Sequence, residues 1–277
     1  MRLLAVIPDL SNFAHSCGAA PLTECLGHGE QVYKVKRERK MANPFFKFKR
    51  FTVYHDRCAM KVGTDGVLLG AWTDVAGARS ILDVGTGTGL IALMLSQRSE
   101  AEILAIDIDA DAVVQARENA DRSPWAERIA VQQCDVRDFA PACGRTFDLI
   151  VSNPPYFTEK VMCPEARRNA ARHTEGLDFP ELIGAVSALL AAQGRFSVIL
   201  PSAATAAFTE EAARQGLFLS RQVWVHTKPG ATPKRVLLTF VREKDTQVEV
   251  QHLTLEVERH VYAPEFQELV KDYYLYL

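Results

Sequence analysis

From Ser80 onward, short apolar runs alternate with longer amphipathic segments, the pattern of βαβ units that build a parallel sheet. The runs at 80–84, 103–107, 129–133, 147–152 and 195–200 predict strands, and 90–97, 109–119 and 179–190 carry apolar residues at helical spacing. A further helix is predicted over 203–215. Residues 218–225 and 236–242 read as strands joined by 228–234, where Pro229, Gly230 and Pro233 favour a loop. Two late strands joined in this way predict an antiparallel hairpin at the sheet edge. The tail 264–277, with Phe266, Leu269, Val270 and Tyr273 in phase, predicts a closing amphipathic helix. No internal repeat interrupts this plan.

Residues 1–40 show neither period, and are expected to be a poorly ordered extension outside the fold. Met41 then opens MANPFFKFKRF as a natural start would, so the leader is read as an upstream extension. His15, Cys17, Cys25 and His28 could gather around zinc, but their spacing matches no common finger, and no metal site is expected. The remaining cysteines are scattered without a C-x-x-C pair, which suggests neither a disulfide framework nor a zinc ribbon. A reducing, cytoplasmic setting fits that usage. The apolar start at Met1 meets Pro8 and Asp9 and is followed by no small-residue cleavage site, unlike a secretory signal.

With 48% hydrophobic and 24% charged residues the chain is of ordinary globular composition. No apolar run approaches the roughly 20 residues of a membrane-spanning helix. A formal net charge of -2 excludes wholesale coating of a nucleic acid, so any such contact must be local. Basic clusters exist at Lys34, Lys36, Arg37, Arg39 and Lys40, at Lys47, Lys49 and Arg50, and at Arg167, Arg168 and Arg172. Each taken alone is equally well a solvated face.

The strand ILDV runs into Gly85-Thr86-Gly87-Thr88-Gly89 and then a helix, placing glycines where the backbone must turn tightly and approach a ligand. A dinucleotide fingerprint requires G-x-G-x-x-G. Here the third glycine comes one residue early and Asp83 precedes the loop. Both departures point away from a nicotinamide cofactor. S-adenosylmethionine carries a cationic sulfonium and an ammonium, beside which a carboxylate is apt. Asp107 ends the next strand, where a carboxylate can accept both ribose hydroxyls through charge-assisted bonds of roughly 1.5–3 kcal/mol each. Asp109 is more simply a helix N-cap. Asp135, after the third strand, lies where an acid could accept the adenine amino group of the cofactor. These motifs together resemble class I S-adenosylmethionine-dependent methyltransferases. That resemblance covers about 80–242 and implies a seven-stranded Rossmann-like α/β sheet with helices on both faces, in the order 3-2-1-4-5-7-6 with strand seven antiparallel.

The fourth predicted strand ends in Asn153-Pro154-Pro155-Tyr156, at the sheet edge where α/β folds put their chemistry. An aromatic amine or amide nitrogen is a poor nucleophile because its lone pair is delocalised. Acceptors that hold its two hydrogens out of plane therefore help. Asn153 offers its side-chain oxygen, and Pro154, with fixed φ and no N–H, leaves a rigid carbonyl as the second acceptor. Tyr156 can stack on a planar substrate for about 1–3 kcal/mol per base. Asn153, Pro154, Pro155 and Tyr156 are the candidate catalytic residues.

N-P-P-Y is similar to the tetrad of N6-adenine methyltransferases, and also to that of enzymes that methylate a glutamine amide in release factors. The flanking segments FTVYHDRCAMKVGTDGVLLGAW (51–72), Arg172-His173-Thr174 and the terminal DYYLYL resemble the bacterial family acting on the adenine beside the anticodon of a valine tRNA. With them the resemblance runs from about Phe48 to the end, so 41–277 is expected to be a single methyltransferase domain. It implies that Lys61, Thr64 and Asp65 close over the methionine part of the cofactor, and that the partner is RNA, a tRNA anticodon loop, with no membrane involved. Glutamine-amide methylation would call for a separate helical substrate domain before the sheet, and forty unpatterned residues do not supply one. An inactive RNA-binding scaffold would have a degraded loop or tetrad, and both are intact. The intact mass of the native protein is expected to correspond to a chain beginning at Met41.

Overall fold

The predicted alternation of strands and helices is present in the computed structural model, which describes residues 43–58, 60–155, 177–244 and 247–277. The expectations placed on 1–40, on Tyr156 and on Arg167, Arg168 and Arg172-His173-Thr174 lie outside these residues. Among the described residues no helix is long and apolar enough to cross a membrane.

An antiparallel hairpin, β1 (Phe45–Lys47) and β2 (Thr52–Tyr54), precedes the sheet, and α1 (Thr64–Trp72) follows it. Then come β3 (Ser80–Val84), α2 (Leu90–Arg98), β4 (Glu102–Asp107), α3 (Ala110–Asp121), β5 (Ile129–Gln133), α4 (Val136–Ala142) and β6 (Phe147–Ser152). The second half holds α5 (Phe179–Leu189), β7 (Leu190–Pro201), α6 (Thr205–Arg214), β8 (Phe218–His226), β9 (Arg235–Val241) and β10 (Glu249–Thr254). A small pair, β11 (Glu256–Glu258) and β12 (Val261–Tyr262), leads to α7 (Pro264–Val270).

The large sheet has the order β10-β8-β9-β7-β6-β3-β4-β5. Counting β3 as the first strand, this is the expected 3-2-1-4-5-7-6, with β9 antiparallel to both its neighbours. It also has an eighth strand. β10 pairs parallel to β8 along its whole length, so the β8–β9 hairpin is not at the edge, as expected, but one strand in from it. The sequence pattern does not mark β10 because only Leu253 on it is buried; an exposed edge strand carries little apolar signal.

Parallel strands need cover on both faces, and two apolar cores provide it. On β3, Ile81 belongs to the core beneath α1, α2 and α7, whereas Leu82 and Val84 belong to the core beneath α5 and α6. This is the period-two alternation of a strand. The sequence pattern does not mark α1 as a helix, because Gly66 to Trp72 is buried almost all round and shows no polar stripe. Gly70 allows α1 to lie directly on α2: a Cβ there would stand 2.8 Å from Met94 Sδ and 2.9 Å from Met94 Cβ. β7 begins at Leu190, earlier than the apolar run suggests, and a bulge between Leu190 and Arg195 offsets its pairing with β6. The closing helix is shorter than expected and stops at Val270. Tyr273 beyond it is buried in a turn, its hydroxyl donating to the Met94 carbonyl at 2.9 Å.

Gly70→Val should drive the α1–α2 contact apart and lower stability by about 1–3 kcal/mol, the usual cost of overpacking, measured by urea denaturation.

Candidate active site

The parallel register aligns three strand ends. Val84 is paired with Ile106 on one side and with Ser152 on the other. The residues that follow, Gly85, Asp107 and Asn153, therefore leave the sheet side by side, at strand spacings of about 4.8 Å. The Ser152 hydroxyl donates to the Val84 carbonyl at 2.9 Å and ties β6 to β3 at that level.

The glycine loop hangs from β4. Gly85 and Thr86 N–H donate to the Ile106 carbonyl at 2.9 and 3.0 Å, and Gly87 N–H donates to Asp107 Oδ2 at 2.8 Å. Gly85, Gly87 and Gly89 have φ of +72°, +56° and +80°, values that L side chains rarely adopt. A Cβ at Gly85 or Gly87 would meet nothing within 4 Å, whereas at Gly89 it would touch Ala116 of α3 at 3.4 Å. The third glycine thus serves helix packing, and the first two leave an open side on which a ligand can approach the backbone.

Asp83 has no exposed surface. Its Oδ2 accepts from the Thr86 hydroxyl at 2.6 Å, and Oδ1 has no hydrogen-bond partner. Burial, against the opposing pull of the Thr86 hydroxyl and of the Ala92 backbone N–H, pushes its pKa up to about 7. The structure places this carboxyl inside the fold rather than on the open side of the loop, so its effect on a ligand passes through the loop and through its field. Asp107 stands at the rim. Besides the Gly87 amide it accepts from Asp109 N–H at 3.0 Å, and burial raises its pKa while these amides oppose the rise. Asp109 caps α3, accepting from Asp111 N–H at 2.9 Å.

Asp135 caps α4 and is clasped by Arg137, whose Nε lies 3.0 Å from both carboxylate oxygens and whose second amino nitrogen lies 2.6 Å from Oδ2. The Arg137 guanidinium holds this carboxyl below the usual range and reaches on to Glu181 at 3.2 Å. Lys61 and Thr64 are exposed where the chain enters α1. Asp65, in the first turn, accepts from Arg235 Nε at 2.7 Å; Arg235 opens β9 and is paired with Pro201 at the end of β7. The start of α1 is thereby tied to the same edge of the sheet as the glycine loop. Asn153 is half-buried, Pro154 is buried and Pro155 is exposed.

Sequence reasoning missed the groups that hold this edge together. Asn119 of α3 is buried: its Oδ1 accepts from Tyr54 N–H at 2.9 Å, and its Nδ2 donates to the Tyr54 and Thr88 carbonyls, each at 2.8 Å. One amide thus joins the N-terminal hairpin to the glycine loop. The buried Gln115, one turn earlier, accepts from Arg57 N–H at 3.2 Å, so the segment after β2 runs along α3 toward its N-terminus. It brings Cys58 beside Asp107 and Asp109, whose charges add to burial in pushing the thiol up to about 11. A polar residue on an amphipathic helix ordinarily reads as solvent-facing, and no local signal marks Asn119 or Gln115.

The open glycines and the rim carboxylate suit a cofactor with a ribose, and the buried Asp83 carboxyl behind the loop adds a field that favours a cationic head. Comparison with known proteins agrees. The methyltransferase domain family matches residues 81–175. A tRNA1(Val) (adenine(37)-N6)-methyltransferase of Phocaeicola vulgatus is 57% identical over 235 residues, 85% of this chain and 99% of that protein. One of the same name from Photorhabdus laumondii is 45% identical over 87% of this chain and 100% of that protein. Among solved structures, a predicted O-methyltransferase from Agrobacterium tumefaciens superposes with a TM-score of 0.58 at 20% identity, covering 76% of this chain and 96% of that one, which speaks for the fold.

Because the folded chain binds the Asp83 proton more tightly than the unfolded chain does, stability from this group is full below pH about 4 and declines as pH rises through about 7. Asp83→Asn should remove that decline. The stability of the variant relative to the parent, from denaturant curves at several pH values, is expected to rise across this window by a few kcal/mol. A difference that stays flat with pH would show that the carboxyl is ionised at no cost.

Proposed function

The chain belongs to the tRNA1(Val) (adenine(37)-N6)-methyltransferase family, and from it we propose the transfer of a methyl group from S-adenosylmethionine to N6 of the adenine beside the anticodon of a valine tRNA. The observation that carries this reading is the register that sets Gly85, Asp107 and Asn153 on adjacent strand ends. It puts the glycine loop and the Asn153-Pro154 segment, the two parts the proposed reaction needs, on one edge.

When bound, S-adenosylmethionine would supply a methyl group on a cationic sulfur, which would leave as the neutral thioether S-adenosylhomocysteine as its bond to the methyl carbon is exchanged for one to nitrogen, the surplus amine proton passing to water. The chain's part is to bind and to orient. Gly85 and Gly87 let the backbone approach, and Asp107 has lone pairs left for the ribose hydroxyls beyond those engaged by the amides. Lys61 and Thr64 stand at the entrance of α1, which the Asp65–Arg235 pair anchors over this edge. Asp83 places a carboxyl near neutrality behind the loop, where a cationic ligand favours its ionised form. Asp135, held by Arg137, fixes the turn after β5 on the side where the cofactor's adenine belongs.

Across this site the Asn153 side-chain oxygen and the Pro154 carbonyl accept the two hydrogens of the target amine. That localises the nitrogen lone pair toward the methyl carbon, and Tyr156 stacks on the base. Orientation of this kind supplies roughly 7–11 kcal/mol, so a strong general base is not required. The adenine must leave its stack, which costs a few kcal/mol in a helix and less in a loop, and this favours an anticodon loop as substrate. A reducing cytoplasmic setting belongs to the same reading. Glutamine-amide methylation shares the tetrad, but nothing among the described residues favours it.

Asn153→Ala should lower methyl transfer to a valine tRNA transcript by about 10²–10³-fold, the size expected when one hydrogen-bonding partner of a transition state is removed. Cofactor affinity by calorimetry should stay nearly unchanged. Loss of both together would assign Asn153 to the cofactor instead.

A further inference from the structure

We propose that the β8–β9 loop, residues 227–234, is a preformed seat for RNA phosphates beside the active site; this rests on the RNA reading above. Its place follows from topology. β8 is antiparallel to β9, and β9 is antiparallel to β7, so β8 ends and β9 begins on the edge where β3 and β6 end. In the order β6-β7-β9-β8 the loop stands two to three strands along from Asn153, about 10–14 Å. Nucleotides flanking a base held at Asn153 lie within that reach.

The loop reads Thr-Lys-Pro-Gly-Ala-Thr-Pro-Lys, with two lysines and no acid. Lys228 and Lys234 are exposed, and their ammonium groups have no ion-pair or hydrogen-bond partner among the described residues. The cation next to Lys234, Arg235, is committed to Asp65 at 2.7 Å. Of the adjoining carboxylates, Asp65 is taken by Arg235, and Glu256, whose N–H donates to the Thr227 carbonyl at 3.1 Å, forms no ion pair with either lysine among the described residues. In a chain of net charge -2, two uncompensated cations on the catalytic edge are the kind of local positive field that a polyanion needs.

The loop is also rigid. Ala231 N–H donates to the Lys228 carbonyl and Lys234 N–H to the Val225 carbonyl, each at 3.1 Å. His226 Nδ1–H donates to the Ala231 carbonyl at 2.6 Å, and the Ser202 hydroxyl, from the end of β7, donates to the Pro233 carbonyl at 2.7 Å. Gly230 takes φ +73°, and Pro229 and Pro233 stiffen either side of it. A surface ordered in advance spends little entropy on binding.

The test uses the full chain and a valine tRNA transcript. Replacing both Lys228 and Lys234 by Ala should weaken RNA binding about tenfold and flatten the plot of log affinity against log salt by about 0.7–0.9 for each phosphate that a lysine no longer neutralises. The cofactor dissociation constant and the thermal midpoint should not move, and Arg at both positions should restore the parental values. Unchanged affinity and slope in the double Ala variant, with the parent binding and methylating the transcript, would overturn this proposal alone. Weakened binding at an unaltered slope would also overturn it, since the lysines would then act through shape rather than charge. A parent protein that neither binds nor methylates the transcript would overturn the function on which it rests.

Discussion

Everything at the catalytic edge depends on the pairing of Val84 with Ile106 and with Ser152. A slip of one residue in either pairing would turn the strand's apolar side chains to the opposite faces and separate Gly85, Asp107 and Asn153. The register is held by burial on both sides of β3: Ile81 and Leu82 have no exposed area and belong to different cores. The packing that stabilises the sheet is therefore also what sets the geometry of the site.

The loop itself is maintained by polar groups withdrawn from water. Asp83 holds Thr86, Asp107 holds Gly87, and Asn119 holds the Thr88 carbonyl. The first of these contacts is local, the second crosses from the end of β4, and the third reaches across from α3. Burying Asp83 with one oxygen unpartnered works against folding at neutral pH, as perturbed carboxyls at functional sites often do. A cationic ligand on the open side of the loop would offset that cost, so the strain and the proposed cofactor fit each other physically.

In the proposed reaction the chain contributes acceptors and orientation rather than a proton acceptor of high basicity. Selection of the substrate then falls to features outside the tetrad, since Asn153 and Pro154 recognise an NH2 group and nothing more. The rigid basic loop between β8 and β9 and the anchored entry to α1 flank that point from the same edge. Local charge on a slightly acidic protein can discriminate between partners without general adhesion to nucleic acid.

What the sequence determined by itself was whatever is local or periodic. The strands β3 to β6, the glycines of the loop and the Asp109 cap each announce themselves within a few residues. The same holds for the seven-strand order once those motifs are matched to their family. Tertiary structure alone decided the rest. The all-round burial of α1 erased its helical stripe, and the exposed β10 had no stripe to show. Asn119, Gln115, Arg235 and the reach of Arg137 to Glu181 were invisible because a polar side chain declares such a partner only when two distant segments meet. Asp83 looked like a ligand-facing acid in the linear motif, and only the fold reveals that it lies beneath the surface, since exposure is a property of the packed chain and not of the residue.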